Sequence, residues 1–264
     1  MSDAVRVERG DHVATVILSR PGRRNAVDPA TAEALAAAFV ALEDDDEVLA
    51  TVLWGDGGHF CAGADLAAVR AGWDTGRLRP PSGVPRDAWG PMGPTRLQLT
   101  KPVIAAVSGY AVAGGLELAL WCDLRVADET AVFGVFCRRF GVPLVDGGTF
   151  RLPRLIGQSR AMDLVLTGRP VDAREALSIG LANRVVAAGD ARRAAESLAV
   201  EIAAFPQRCL RADRESLLAQ WGLDSTQALS GEFDRGLGVL RSGESAAGAG
   251  RFLAGAGRGG RPAG

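Results

Sequence analysis

The segment from Lys101 to Leu120 constrains this chain more than any other. Val103 to Val107 is apolar at every position, as a strand buried on both faces must be. Ser108-Gly109 then turns the chain into an apolar run that begins at Gly114-Gly115 and carries Glu117. In a helix, Gly114 and Glu117 share one face of the first turn. A helix start offers unpaired N–H groups and the positive end of a dipole, and glycine lets a ligand oxygen approach them. A carboxylate beside such donors suits proton transfer next to a developing oxyanion. A plainer reading also stands: the dipole alone favours Glu in a first turn, and paired glycines often serve only close packing.

A second turn of the same type follows the strand expected at 49–54. Gly55-Asp-Gly-Gly-His-Phe-Cys-Ala-Gly-Ala-Asp-Leu66 leaves that strand end and enters a helix at Asp65. Ligands of open α/β sheets collect beyond the carboxyl ends of strands, so the Ala64 and Gly114 amides form a candidate pair around one carbonyl oxygen. A phosphate loop is the competing reading, but neither turn has the Gly-Lys-Ser/Thr ending or the spaced dinucleotide glycines.

Around these turns, strands and helices alternate. Val5-Arg-Val-Glu8 and Val13 to Leu18 read as a strand pair turning at Gly10-Asp11. Asp28 is placed to N-cap a helix that has Pro29 at its first position and runs to about Leu42. A strand near 124–127 continues the alternation, which argues for α/β layers with parallel strands. The stretch 72–94, rich in Gly, Pro, Arg and Trp, reads as a long surface excursion beside the site. Beyond Gly157 the pattern is mostly helical, over 173–179, 191–204, 208–221, 226–240 and 244–253, with one short strand near 183–186.

The 264 residues, 47% hydrophobic and 23% charged, suit one sizeable domain or a domain with a helical appendage. A formal net charge of −1 gives no basic field for nucleic acid or anionic membrane. Lys101 is the only lysine. The N-terminus lacks a signal-peptide pattern and no apolar run is long enough to span a bilayer, so a cytoplasmic protein is expected. Cys61, Cys122, Cys137 and Cys209 lack metal-ligand spacing, and with only His12 and His59 no metal site is expected. All four are read as buried reduced thiols. A Ser-His-Asp triad has no support, because neither histidine lies near a nucleophile elbow.

Phe60-Cys-Ala-Gly-Ala-Asp-Leu66 together with Lys101-Pro-Val-Ile-Ala-Ala-Val, Gly109-Tyr and Gly114-Gly-Leu-Glu117 resembles the paired signatures of the crotonase (enoyl-CoA hydratase/isomerase) family. Cys122-Asp-Leu-Arg-Val-Ala127, Phe133-Gly134, Gly147-Gly-Thr149, Leu155-Ile-Gly157 and Gly180-Leu-Ala-Asn-Arg-Val185 continue the resemblance from about Val5 to Leu253. It implies an α/β fold: a ββα spiral core over 1–200 carrying the site, a helical trimerisation region over 201–256, and a disordered tail over 257–264. It implies a homotrimer or a dimer of trimers, no cofactor, and a coenzyme A thioester as ligand. The thioester oxygen would sit on the Ala64 and Gly114 amides, with Glu117 as acid/base. Coenzyme A contacts would map onto Arg24, Ala26, Ala62, Asp65 and Leu66, with Arg23 and Arg24 nearest the phosphate charge.

One departure bears on mechanism. Hydratases of the family read roughly Phe-Gly-x-Pro-Glu where this chain has Phe133-Gly-Val-Phe-Cys137, so Cys137 stands at the second catalytic glutamate. A thiol with an ordinary pKa near 8.5 is no substitute for a carboxylic acid. Cys137 is either a thiolate held by Arg138 or Arg139, or a small packing residue. Asp146 is either a displaced acid/base or the N-cap of a helix starting at Gly147. Arg138-Arg139 is either a clamp for a substrate carboxylate or a surface ion-pairing element. His59 is expected to be structural. Slow hydration is expected unless Asp146 substitutes through a water molecule. The alternative to an enzyme is a non-catalytic acyl-CoA-binding member of the same fold.

Overall fold

The computed structural model describes residues 4–72 and 89–257. Its chain starts with a hairpin, β1 (Val5–Arg9) and β2 (Val13–Leu18), paired antiparallel from Val5↔Leu18 to Arg9↔Ala14. The helix α1 (Pro29–Glu43) follows as the spacing predicts. The Asp28 side chain accepts from the Thr31 N–H at 2.8 Å, and Ala32, Leu35, Phe39 and Leu42 form its buried face. Its far end is closed by Lys101, whose Nζ donates to the carbonyls of Leu42 and Asp45 at 2.7 and 2.6 Å.

The strands β3 (Ala50–Gly55), β4 (Val103–Val107) and, later in the chain, β6 (Leu124–Asp128) and β9 (Arg184–Val186) add to β2 in parallel. The six-stranded sheet runs β1-β2-β3-β4-β6-β9. All five residues of β4 are buried, which is the reason for its unbroken apolar sequence. Between these strands lie the short α2 (Leu66–Arg70), β5 (Tyr110–Val112) and α3 (Gly114–Trp121). A second sheet, β5-β7-β8, joins β5 to β7 (Val132–Gly134) in parallel and β7 to β8 (Val171–Asp172) antiparallel. The helices α4 (Gly148–Ile156), α5 (Gln158–Thr167) and α6 (Ala173–Ser178) pass between β7 and β9.

After β9 come α7 (Ala191–Ala203), α8 (Gln207–Ala219), α9 (Ser225–Arg241) and α10 (Glu244–Leu253). The chain divides into two units, one up to Ala199 and one from Val200 onward. In the second unit Asp224 and Gln227 form a capping box on α9, and Glu244 accepts from the Cys209 N–H at 2.8 Å, tying α10 to α8. Its helices leave Leu217, Leu229, Phe233, Leu240 and Leu253 more than three-fifths exposed. Cys209 is exposed too, which corrects the expectation of four buried thiols: it lies in the first turn of α8, a helix with no buried residue. No helix among the described residues is long and apolar enough to cross a membrane. The expected excursion over 72–94 and the tail over 257–264 fall largely outside the described residues.

Candidate active site

The two glycine-rich turns lie side by side, joined by main-chain hydrogen bonds. Phe60 and Cys61 donate to the carbonyls of Ser108 and Tyr110 at 2.8 Å, and Val112 donates back to Cys61 at 3.1 Å. Glycines make this approach possible. A Cβ on Gly115 would overlap the Cys61 carbonyl, and one on Gly63 (φ +96°) would come 2.9 Å from the Gly114 nitrogen. Ala113, between β5 and α3, holds φ 55° and ψ −126°, a conformation rare for a residue with a side chain and typically costing ~1–3 kcal/mol. Neither the Ala64 nor the Gly114 N–H has an acceptor among the described residues, and both residues line one cavity of about 240 Å³. Apart from Glu117, Asp146 and Cys137 the lining is apolar, with Leu66, Val69, Met92, Phe136 and Phe140 among its residues. Of the two glycines, Gly115 packs against Cys61, while Gly114 lines the cavity beside the Met92 side chain.

Glu117 lies in the first turn of α3 and is 2% exposed. Its Oε1 accepts from the Asp146 and Gly148 N–H groups at 2.9 and 2.8 Å. Its Oε2 has no partner among the described residues. Burial pushes its carboxyl up to about 7, and the neighbouring Asp146 adds to the rise. The two N–H donors and Arg151 oppose it.

Asp146 does not cap the helix that follows, contrary to one of the two expectations. The N-cap position of α4 is Gly147, and the Gly148 amide is satisfied by Glu117 from another segment. Asp146 turns inward, 3% exposed, where its Oδ1 accepts from the Met92 N–H at 3.1 Å and from the Thr95 hydroxyl. Its main-chain carbonyl accepts from Arg151 at 2.7 Å, and the other arm of Arg151 donates to the Thr95 carbonyl at 2.7 Å. Burial raises the Asp146 carboxyl despite Thr95, Met92, Arg96 and Arg151.

Cys137 lines the same cavity from a 3-10 turn over Phe136–Phe140. Its thiol is raised, first by burial and then by Glu117, with Arg138 opposing only weakly. Both influences disfavour a thiolate and agree with the reading of Cys137 as a small packing residue. Arg138 donates to the Val165 carbonyl, and Arg139 donates to Gly168 while lying 3.9 Å above the Phe136 ring. Neither forms an ion pair among the described residues; both fasten the turn to the end of α5.

The remaining candidates lie along the 55–66 turn and the loop before α1. Ala62 and Leu66 line the cavity, and the Ala62 N–H donates to the Arg24 carbonyl at 2.9 Å. The Arg24 guanidinium lies 5.3 Å from the Tyr110 ring centre. The Ala26 carbonyl accepts from Arg20, which also pairs with Asp65 at 3.2 Å. Asp65 caps α2 through the Ala67 N–H at 3.0 Å, so both its oxygens are engaged in holding the turn. His59 stacks on Tyr110 and its Nδ1 accepts from the Tyr110 N–H at 3.3 Å. Burial lowers its pKa, which fits a neutral, structural ring.

Met92, Thr95 and Arg151 were not among the candidates read from the sequence. Met92 sits in the aperiodic stretch and Thr95 just beyond it, where no local signal marks them. Arg151 carried one: an arginine in the first turn of a helix opposes the dipole and needs another reason to be there.

Residues 8–236 match the family profile described as enoyl-CoA hydratase/isomerase. The chain is 38% identical over 221 residues to an enoyl-CoA hydratase of Mycobacterium tuberculosis, covering 80% of each. It is 36% identical over 207 residues to a carnitinyl-CoA dehydratase of Salmonella typhi, covering 76% of this chain and 75% of that protein. A crystal structure of an enoyl-CoA hydratase from Mycobacterium tuberculosis superposes with a TM-score of 0.87 at 34% identity over 95% of both chains. One from Mycobacterium marinum gives 0.86 at the same identity and coverage.

Proposed function

We propose, for a chain that belongs to the enoyl-CoA hydratase/isomerase family and is an enzyme of it, that this cavity takes an acyl-CoA or enoyl-CoA thioester and moves protons through its enolate. The observation that carries the reading is the pairing of two unbonded amides with a buried carboxylate of raised pKa in one apolar cavity. The thioester oxygen accepts from the Ala64 and Gly114 N–H groups, which stabilise it as charge develops; one such donor is typically worth ~2.7–4 kcal/mol in the transition state. Glu117 is the acid/base: a carboxyl near 7 exchanges protons in either direction at neutral pH. Arg24, Ala26, Ala62, Asp65 and Leu66 border the path of the coenzyme A moiety, Asp65 by holding the turn.

Hydration and double-bond isomerisation both use this enolate. A non-catalytic acyl-CoA binder is the other reading, favoured by Cys137 at the position of the second glutamate. A buried carboxylate held near neutrality counts against it, because binding alone gains nothing from the cost of burying it. The test is loss of the enoyl absorbance of crotonyl-CoA, followed by mass spectrometry on a panel of CoA thioesters. Turnover that Glu117→Gln abolishes supports the enzyme; thioester binding without turnover of any panel member supports the binder.

The helical region from Val200 onward is proposed to build a homotrimer or dimer of trimers, in the cytoplasm. Its large exposed apolar side chains suit burial against other copies. Light scattering at micromolar concentration is expected to give three or six times the mass of the chain; a monomer rejects it.

A further inference from the structure

We propose that Asp146 is the second proton-handling carboxylate of this site, working with Glu117 across the cavity in place of a group at Cys137. The inference rests on the reading of the site as an enzyme for CoA thioesters. Four observations carry it. Asp146 and Glu117 line the same cavity, and each is 3% exposed or less. Each carboxylate is held by main-chain or hydroxyl donors on one oxygen only, Glu117 through Oε1 and Asp146 through Oδ1. The second oxygen of each has no partner among the described residues. Finally, the two are tied together, since the Asp146 N–H donates to Glu117.

A buried aspartate that served only structure would use both oxygens or meet an arginine directly, as Asp65 does with Arg20. Arg151 approaches Asp146 but spends its hydrogen bonds on the carbonyls of Asp146 and Thr95, bracing the carboxylate without neutralising it by contact. Gly90 contributes as well, since a Cβ there would overlap both Asp146 Oδ1 and the Thr95 hydroxyl. Donors and space are thus arranged to fix one oxygen and leave the other without a partner in a residue that lines the cavity. The charged and titratable groups acting on the pair are Arg151, Arg96 and Cys137.

Two like charges in one buried site do not both ionise readily, so the working form of the pair holds one proton between its members. Hydration then balances within the site. The water oxygen bonds Cβ and its proton passes to the ionised carboxylate. The π pair moves onto the thioester oxygen, held by the two amides. The protonated carboxylate then gives its proton to Cα as the enolate collapses. The pair ends with one proton, as it began. Migration of a double bond exchanges one C–H proton for another in the same way.

Asp146→Asn preserves the shape and the acceptor for Met92 and Thr95 while removing the proton carrier. In the full-length protein, with the best CoA thioester of the panel, it is expected to lower kcat by ~10²–10⁴-fold and to remove one limb of the pH profile. Thioester affinity by calorimetry should change by less than about threefold, the mark of a group acting in the transition state. Thr95→Val removes only the hydroxyl bond to Oδ1 and is expected to move that limb to higher pH, because a donor that favours the ionised form is lost. Cys137→Ser tests the rival. If it costs as much as Asp146→Asn, the assignment is overturned. So it is if Asp146→Asn retains kcat within about threefold with both limbs present, or if Thr95→Val leaves the limb in place. An inactive wild type would instead reject the enzyme reading, and this inference with it.

Discussion

One wall of the cavity is made of backbone and the other of side chains. On the amide side, Ala64 and Gly114 come from two turns joined by consecutive main-chain hydrogen bonds, and glycines at 63 and 115 let them touch. On the acid side, Glu117, Asp146 and Cys137 come from α3, the loop before α4 and a 3-10 turn, braced by Thr95 and Arg151 from elsewhere in the chain. A main-chain wall tolerates many residue types so long as the backbone path is kept. A side-chain wall changes its chemistry with one substitution, which is how a cysteine can stand at position 137 without disturbing the fold. Variation of reaction within such a site is therefore expected on the acid side.

The largest expected effect tests that side. Glu117→Gln should lower turnover by ~10²–10⁴-fold, while CoA-thioester affinity by calorimetry stays within a few-fold, because the amides are untouched. Equal losses of binding and turnover would break the division between the walls.

A smaller effect concerns stability. The Glu117 carboxyl is pushed from 4.5 up to about 7, so folding favours its protonated form. The stability this contributes is full below about 4.5 and is lost as pH rises through about 7, amounting to roughly 3 kcal/mol if the whole shift is expressed. Urea unfolding should show wild type losing more stability than Glu117→Gln between pH 4.5 and 8. Parallel losses would mean that the carboxylate is better solvated than its burial implies.

The amide wall is tested by Gly114→Val. A Cβ at Gly114 meets the Met92 side chain, at 2.6 Å from its sulfur, rather than open space. Methionine is flexible and can shift, but into the cavity. Acyl-CoA affinity should fall by about tenfold, with Gly114→Ala milder. Unchanged calorimetric affinity in the valine variant would show that the thioester does not lie against this amide.

The backbone wall was readable from the sequence because it is local: strand, glycine turn and helix start succeed one another within twenty residues, each with its own signal. Glu117 was readable for the same reason. Helices beyond β9 were found within two residues of their ends through their apolar spacing. The side-chain wall was only half readable. Asp146 drew notice as a carboxylate before Gly147-Gly148, yet local rules favour a cap there. Nothing near it in sequence reveals that Glu117 already satisfies the helix start and that Thr95 and Met92, some fifty residues earlier, turn Asp146 inward. Cys137 was legible as a departure, but the upward push on its thiol comes from burial and from Glu117, which one-dimensional spacing does not express.

The closing of α1 by Lys101 has a practical side. The only lysine of the chain is 3% exposed, with its ammonium directed at the carbonyls of Leu42 and Asp45. Acylating dyes, amine-coupled sensor surfaces and lysine cross-linkers therefore meet no lysine on the folded surface. Reaction at Lys101 requires the end of α1 to part from the start of β4, so its labelling rate is a built-in clock for the opening of that junction.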